Sequence, residues 1–415
     1  MDENINNTSD KTLEEIKKER LGTVGGQALI EGIMMNGPKG AAIAVRRTDG
    51  KIIVKPYEFN RLRDKNKFFG LPFIRGIVNF IESMILGYKS LMEAADLSGM
   101  LELEEDEEPE GKLDKWLTEH FGPKMVAVVS AIGMVLGVVL SLGLFVYLPS
   151  LLVRLFDNYV VNGAIDSVGL RPLCEGIIRI AVFIGYIAAV SMMKDIKRVF
   201  MYHGAEHKTI FCYEHGLPLT VENVKKQIRF HPRCGTSFIF VILIISIFVS
   251  SLLSVILHNT GATVGGKPII DVTWAWSLIK LLVLPVVLGI SYEYIRYAGK
   301  HENKCTKIFS APGLWMQRIT TKEPDESMIE VGIESVKAVL EGTESERLIE
   351  PSEYYYKCFP DAVKTEETAA SPDADTPEKP EDIFDFTVQD NPPLPDSVNV
   401  FADIDGSDVF GKNDG

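Results

Sequence analysis

Cysteine is scarce in this sequence, with five residues among 415. An odd number of scattered cysteines, in a chain for which we expect no secretory leader, does not form a disulfide framework. We therefore expect Cys212, Cys234 and Cys305 to stay reduced.

Basic residues are also in deficit, because 43 Lys and Arg stand against 57 Asp and Glu and give a formal net charge of −14. Surfaces that bind nucleic acid are basic, since they neutralise backbone phosphates. We therefore expect no nucleic-acid partner.

Four long apolar runs are present although the mean hydropathy is only +0.09, because the average also includes a strongly acidic C-terminal region. Each run approaches or exceeds the ~20 residues that a helix needs to cross a hydrocarbon core of ~30 Å. The sequence therefore predicts a mainly α polytopic membrane protein with four transmembrane helices. The runs cover residues 125–153, 173–193, 238–257 and 274–295.

The connections between these runs differ in basic charge. The segment 194–236, between the second and third runs, contains eight Lys and Arg residues, whereas the other two connections contain few. Loops on the cytoplasmic side retain Lys and Arg. We therefore expect a multi-pass membrane protein whose lipid bilayer leaves both termini and the 194–236 loop in the cytoplasm.

Charged residues also occur in or near the predicted spans. Glu175 with Arg179, and Glu293 with Arg296, are expected to neutralise one another locally. Lys280 is expected to extend toward the membrane surface or to find a partner. A transport path needs charges near mid-span, and only Lys280 comes close to that position.

The remaining segments are predicted from pattern and composition. Glycine-rich strands and the turn at Asp49-Gly50 indicate a small N-terminal β-element. Apolar residues at helical spacing predict an amphipathic helix that either lies in the membrane interface or docks on the transmembrane bundle. The predicted order is a mobile polar N-terminus (1–23), the cytosolic β-element (24–70), the amphipathic helix (71–98), an acidic linker (99–123), the four-span membrane domain (124–320), a soluble C-terminal helix (321–350) and an acidic disordered tail (351–415).

One polar stretch of the 194–236 loop carries a pattern known from metal chemistry. His203 and His207 are four residues apart with Glu206 between them, so on a helix all three share a sector of roughly 100°. HxxEH is the order found in inverted zinc proteases, where both histidines bind Zn²⁺ and the glutamate is the candidate catalytic base. We expect the second apolar helix to continue into this stretch.

A second polar stretch, from His231 to Cys234, precedes the third apolar run. Successive helices with a short connection are usually antiparallel neighbours, so the two stretches should meet at one membrane face. One further ligand, His231 or Cys234, would leave a coordination position open for catalysis, whereas both together would close a structural site. The alternative is a basic interfacial loop that faces lipid phosphates.

Further site candidates lie in the β-element. Gln27, Leu29, Glu31 and Ile33 are predicted to share one strand face, which would place a carboxylate among apolar side chains. Glu31 is therefore a second candidate catalytic residue beside Glu206. Gln27 of the same element and Arg233 of the 231–234 stretch are additional candidates.

Three stretches together resemble the YqhQ-like family of uncharacterised bacterial membrane proteins: residues 25–35 (GGQALIEGIMM), 203–208 (HGAEHK) and 231–238 (HPRCGTSF). The resemblance runs from about residue 24 to residue 340 and includes the TTKEPD stretch at 320–325. It implies a location in the bacterial cytoplasmic membrane and the family's usual description as predicted metal-dependent enzymes. The positions carried over are His203, Glu206, His207, His231 and Cys234.

The leading functional hypothesis is a zinc-dependent hydrolase with a cytosol-facing site that acts on a membrane-associated peptide or lipid-linked substrate. One alternative is a non-enzymatic membrane scaffold with a structural metal site. The other is a transporter or exporter accessory.

Overall fold

The computed structural model describes residues 13–58, 66–99, 132–133, 135–160, 165, 170–298 and 304–360. Within these residues the protein is mostly helical, with a small N-terminal sheet. The predicted acidic linker after residue 99 and the predicted tail after residue 360 lie outside the described residues. Cys174, Cys212, Cys234 and Cys358 are free thiols.

The described elements fall into an N-terminal sheet region, a set of long apolar helices and a C-terminal helical region. The first region contains α1 (Leu13–Arg20), β1 (Gly25–Leu29), β2 (Gly32–Gly37), β3 (Gly40–Arg46), β4 (Ile52–Tyr57) and α2 (Ile74–Leu97). It is followed by α3 (Val135–Tyr159), α4 (Leu170–Val190), α5 (Lys194–Glu214), α6 (Val221–Lys225) and α7 (Gly235–Asn259). The chain continues with the hairpin strands β5 (Thr263–Val264) and β6 (Lys267–Pro268), then α8 (Thr273–Ala298), α9 (Lys304–Thr320), α10 (Glu326–Glu341), β7 (Arg347–Ile349) and α11 (Glu353–Cys358).

Four of these helices, α3, α4, α7 and α8, are long and apolar enough to cross a membrane. They overlap the four predicted apolar runs, so the prediction of four spanning-length helices is confirmed; residues 125–131 and 134 of the first run lie outside the described residues. Pro285 lies inside α8.

The N-terminal sheet is antiparallel, and its strand order is β1-β2-β3-β4-β7. The first four strands are joined by short turns, and Gly50 adopts a φ of +82° in the predicted Asp49-Gly50 turn. The last strand comes from nearly 300 residues later, since Ile52 pairs with Ile349. The C-terminal segment is therefore part of the same body as the β-element.

The two faces of the sheet are covered by different helices, because side chains alternate along each strand. One face, with Ile33 and Met35, packs on α5 and α10 in a shared core cluster. The other face, with Leu29 and Met34, packs on α2. Helix α10 buries apolar residues, among them Ile329, against these neighbours.

The expectation that Gln27, Leu29, Glu31 and Ile33 share one face is wrong. The chain turns between β1 and β2, where Glu31 adopts a φ of +49°. Leu29 and Ile33 therefore lie in clusters on opposite faces of the sheet. A period-two pattern holds only within one uninterrupted strand.

The expected continuation of the second apolar helix into the HxxEH stretch is also wrong. Helix α4 ends at Val190, and α5 begins at Lys194 after Met193, whose backbone is extended (φ −69°, ψ 136°). The break falls where the apolar run gives way to charged residues, so α5 can leave the direction of α4.

Both ends of the described chain are more ordered than expected. Residues 13–20 form α1, and Arg20 donates a hydrogen bond to the Tyr213 carbonyl oxygen at 3.1 Å. Residues 351–360 include α11, where Ser352 caps the helix and Tyr355 is buried under the Arg46 guanidinium. A specific contact on the folded body therefore orders segments whose composition alone predicts mobility.

The local charge pairs expected near the spans are replaced by pairs between helices. Glu175 binds Lys280 of α8 at 2.8 Å, which gives that lysine its partner. Glu293 pairs with Arg75 of α2. Among the described residues, each glutamate thus forms its ion pair with a neighbouring helix rather than with Arg179 or Arg296.

Candidate metal centre

Helix α5 carries the HxxEH residues and is positioned by the segments that pack on it. Tyr202 and Ala205 are buried against the sheet and α10. The segment after α9 crosses α5 at Gly204, where a Cβ atom would overlap the Lys322 carbonyl oxygen. The Lys322 N–H donates to the Phe200 carbonyl oxygen at 2.8 Å. Gly204 therefore permits this close crossing.

Two backbone carbonyl groups hold the histidine rings. Nδ1 of His203 lies 2.8 Å from the Thr320 carbonyl oxygen, and Nδ1 of His207 lies 2.5 Å from that of Arg229. Since a carbonyl oxygen only accepts, each Nδ1 carries the hydrogen, and in the neutral ring each Nε2 keeps its lone pair. Burial lowers the pKa of His207, which favours the neutral ring. Metal-ligating histidines are usually oriented in this way.

Cys234 places its sulfur atom near the ring nitrogens of these two histidines. It is the residue immediately before α7, where the partial positive charge of a helix N-terminus favours an anion. Its Sγ lies 3.2 Å from His203 Nε2 and accepts a hydrogen bond from Thr236 Oγ1 at 3.3 Å. One ligand atom each from His203, His207 and Cys234, the His–His–Cys group, lies within 4.8 Å of the other two. The structure thus brings together three of the four predicted ligands.

Glu206 lies beside this group without joining it. Its side chain is buried and accepts the backbone N–H of Gly26 in β1. A Cβ atom on Gly26 would approach Glu206 Oε1 to 3.1 Å and Met35 Sδ to 2.6 Å, so the strand comes this close because the residue is glycine. Burial raises the pKa of Glu206 to about 7, although His203 and the Gly26 N–H act in the opposite direction.

His231 and Arg233 belong to a neighbouring network around Glu214. The His231 ring lies 5.5 Å from that of His207 between centroids, but its Nε2 is 3.5 Å from Glu214 Oε2. The buried Glu214 carboxylate also pairs with Arg233 and accepts the Gly22 N–H at 2.8 Å. Neither His231 nor Arg233 therefore contributes to the His–His–Cys group.

Glu31 and Gln27 are held away from the His–His–Cys group by other partners. The Glu31 carboxylate forms two bonds with the Arg198 guanidinium, at 2.6 and 2.5 Å, and accepts the Tyr202 hydroxyl at 3.1 Å. Gln27 lies on the opposite face of the sheet, where its Nε2 donates to Ser90 Oγ at 3.4 Å. Both contacts are structural, and neither residue offers an atom to the group.

Sequence reasoning missed the segment 320–323 as part of the site. The carbonyl of Thr320 holds His203, and the Glu323 carboxylate pairs with Lys208 and with Arg229, the residue whose carbonyl holds His207. The family resemblance had included this stretch without a role. Local spacing could not relate it to the histidines, because Lys208 and Glu323 are 115 residues apart.

Comparison with known proteins supports the resemblance seen in the motifs. Residues 71–342 match a family model described as a protein of unknown function (DUF1385). The chain is 37% identical over 323 residues to the uncharacterized protein YqhQ of Bacillus subtilis (strain 168), with 76% of this chain and 92% of the relative covered. No solved structure matches the chain. Since the family model covers more than half of the sequence, the chain belongs to the YqhQ-like DUF1385 family.

Proposed function

We propose that this protein is an integral membrane enzyme that holds a divalent metal, preferably zinc, at the His–His–Cys group and hydrolyses a membrane-associated peptide or lipid-linked substrate. One observation carries the proposal. Two histidines of one helix turn donate their Nδ1 hydrogens to backbone carbonyls and meet the thiol of a third residue.

The donor set fits zinc. Two imidazole nitrogens and one thiolate are ligands that a borderline-soft cation accepts, and the thiol of Cys234 would lose its proton on binding. Because His231 is engaged with Glu214, three protein ligands leave a coordination position free, as in catalytic sites. When bound, the metal supplies Lewis-acid activation of a water molecule.

Glu206 is the residue that we assign to proton transfer. It precedes His207 in the sequence, is buried, and has a pKa of about 7 because of that burial. A general base works best when its pKa lies near the operating pH. The Gly26 N–H holds the carboxylate in place.

Insertion in a bilayer is supported by the exposure of the four apolar helices. Within the described part of the chain, only 11–33% of the most apolar window of each helix is buried by protein. Apolar helices with this much uncovered surface are stable in lipid rather than in water.

Helix α2 supports a position at the membrane interface. It docks on α8 at Gly76, where a Cβ atom would meet Tyr292, and on the sheet through Ala94. This helix buries four small residues together with Val78 and Glu82, and it exposes large apolar ones, as expected for a face in contact with lipid. The exposed apolar residues, each 36–57% accessible, are Ile81, Met84, Ile85, Tyr88, Leu91 and Met92.

The position of the group supports the substrate class. Cys234 immediately precedes α7, and the candidate span in that helix begins four residues later at Phe238, so the group lies close to a membrane face. The basic charge of the 194–236 segment favours the cytoplasmic face, with both termini on that side. Such a position suits a substrate that is itself held at the inner membrane surface.

Elemental analysis of the detergent-purified protein tests the metal. We expect zinc in the wild type and its loss in His203→Ala, His207→Ala and Cys234→Ser. His231→Gln is the matched control, since it changes a buried histidine that contacts His207 but lies outside the group, and it should keep the metal. Equal metal content in all of these proteins would contradict the proposed metal site.

Glu206→Gln then separates chemistry from metal binding. We expect this variant to keep the metal and to lose turnover by ~10²-fold or more, the usual contribution of general base catalysis. Products released from bacterial membranes by wild type and variant can be compared by mass spectrometry. Retained metal without any product in the wild type favours the scaffold hypothesis, and loss of metal in the variant makes Glu206 a ligand.

A further inference from the structure

A cavity of about 130 Å³ lies between the apolar helices α3, α4, α7 and α8. Its walls are mostly apolar side chains, but Arg179, Lys280 and Ser246 also line it. Arg179 is nine residues into the 21-residue α4, which places it ~14 Å along that helix. Ser246 is twelve residues beyond Cys234 on α7, or ~18 Å along the axis. The cavity is therefore separate from the His–His–Cys group and lies near mid-span. The expectation that only Lys280 comes close to mid-span is thus wrong, because Arg179 does so as well.

The Lys280 charge is balanced within the protein. Its Nζ lies 2.8 Å from Glu175 Oε2 and also bonds the Ser150 hydroxyl. The Trp276 indole N–H donates to the same Glu175 oxygen at 3.0 Å. Glu175 and Lys280 thus form a hydrogen-bonded ion pair with no net charge.

The Arg179 charge has no such partner. Its Nη1 donates to Ser246 Oγ at 3.2 Å, and its buried Nε has no hydrogen-bond partner among the residues described. Glu175, one turn earlier, attracts the guanidinium only at a distance, because its carboxylate is bound by Lys280 and Trp276. No acidic side chain lines the cavity among the residues described. The cluster therefore keeps one positive charge.

A buried cation without a counter-charge is costly in a low-dielectric environment, and such residues inside spans usually serve a ligand. We propose that this cavity binds the head of an amphiphilic monoanion, a long-chain carboxylate, with Arg179 as its counter-ion. A carboxylate can accept two hydrogen bonds along one edge of a guanidinium, which would satisfy Nε. Apolar wall residues such as Ile242, Leu243 and Leu284 suit the acyl chain. This binding site goes beyond the proposed hydrolase and does not depend on it.

Oleate binding to the full-length protein in phosphatidylcholine nanodiscs tests the site. We expect saturable binding by the wild type and an affinity lower by about tenfold or more in Arg179→Gln, because a charge-assisted hydrogen bond is lost. Arg179→Lys keeps the charge and should lie between them. The matched control is Arg154→Gln, since Arg154 also lies in a candidate span but donates to Thr273 Oγ1 at 2.7 Å outside the cavity lining; it should bind like the wild type.

Chloride and phosphatidylglycerol are tested as competitors, because both carry a negative charge without a carboxylate group. Displacement of oleate by either at comparable concentration overturns the assignment to a carboxylate. Equal oleate affinity in wild type and Arg179→Gln, or an equal loss in Arg154→Gln, overturns the site. Gel filtration and thermal midpoints report folding. If Arg179→Gln fails to fold, Ser246→Ala replaces it. We expect Ser246→Ala to lower the oleate affinity by a smaller factor. An unchanged affinity in that variant would count against the site.

Discussion

Gly204 occupies the position where any other residue would place a Cβ atom against the Lys322 carbonyl oxygen. In an exposed helix a glycine costs ~1 kcal/mol relative to alanine, so propensity alone favours its replacement. The crossing at Gly204 reverses that preference, because a Cβ atom there would displace the Lys322 carbonyl. The displaced segment also carries Thr320, whose carbonyl holds His203.

Gly204→Ala should therefore destabilise the protein by roughly 1–3 kcal/mol through overpacking and weaken metal binding. The matched control is Gly185→Ala in α4, where a Cβ atom would meet nothing within 4 Å; this change should be neutral or stabilise by up to ~1 kcal/mol. Thermal midpoints of the two variants provide the comparison. Equal effects on the thermal midpoint would show that the close crossing does not require glycine at position 204.

Glu206 should make stability depend on pH in the metal-free protein. Burial raises its pKa from the ordinary 4.5 to about 7, so between these values the folded state holds a proton that the unfolded state has released. The free energy of unfolding should fall by roughly 3 kcal/mol as the pH rises across this window. Glu206→Gln cannot ionise, and its profile should be flatter.

Unfolding midpoints measured with a chelator from below pH 4.5 to above pH 7 report this difference. Parallel profiles for wild type and Glu206→Gln would mean that the carboxyl group titrates as an ordinary exposed glutamate. At neutral pH and above, the variant should be the more stable protein.

At the scale of elements, α2 is notable for which side it buries. Ser90 and Ala94 lie on the side of the helix that faces the sheet and are buried, whereas Met84 and Tyr88 are more than half exposed. Helical periodicity predicted an amphipathic helix but left two positions open for it. The structure shows contacts with both α8 and the sheet, and the outward apolar stripe fits a lipid surface.

A fluorescent amino acid at Met84 should therefore be quenched several-fold more by nitroxide-labelled lipids than one at Lys39, an exposed residue in the turn between β2 and β3. The physical reason is that an apolar stripe partitions into the boundary between headgroups and acyl chains. Similar quenching at both positions would place α2 in water. Cross-linking between copies at Met84 would instead point to a dimer interface.

At the scale of the whole molecule, the His–His–Cys group proposed to bind metal depends on segments far apart in the sequence. The sheet includes β7 as an edge strand, and its core includes Met328 and Val336 of α10. The histidines need carbonyls from Arg229 and Thr320. The centre is thus a property of the assembled chain.

A chain that ends at residue 360 should accordingly keep the fold and the metal, because the described contacts of the centre all lie before that point. A chain that ends at residue 320 should lose both, since it lacks Glu323, α10 and β7. Expression yield, thermal midpoint and zinc content of the two truncated proteins measure this. Normal zinc content in the shorter chain would show that the C-terminal elements are dispensable.

The features encoded locally were predictable from the sequence. The four apolar runs determined four spanning-length helices, because hydrophobic length is a property of consecutive residues. The spacing of His203 and His207 determined a shared helix face, because residues four apart lie one turn from each other. The Asp49-Gly50 turn was likewise readable, since Gly accepts a positive φ.

Only the tertiary structure decided which partners meet. It placed Cys234 rather than His231 with the two histidines, paired Glu175 with Lys280, and turned Glu31 toward Arg198. The physical reason is that a local pattern fixes the direction of a side chain relative to its own element, whereas its partner depends on how distant elements pack.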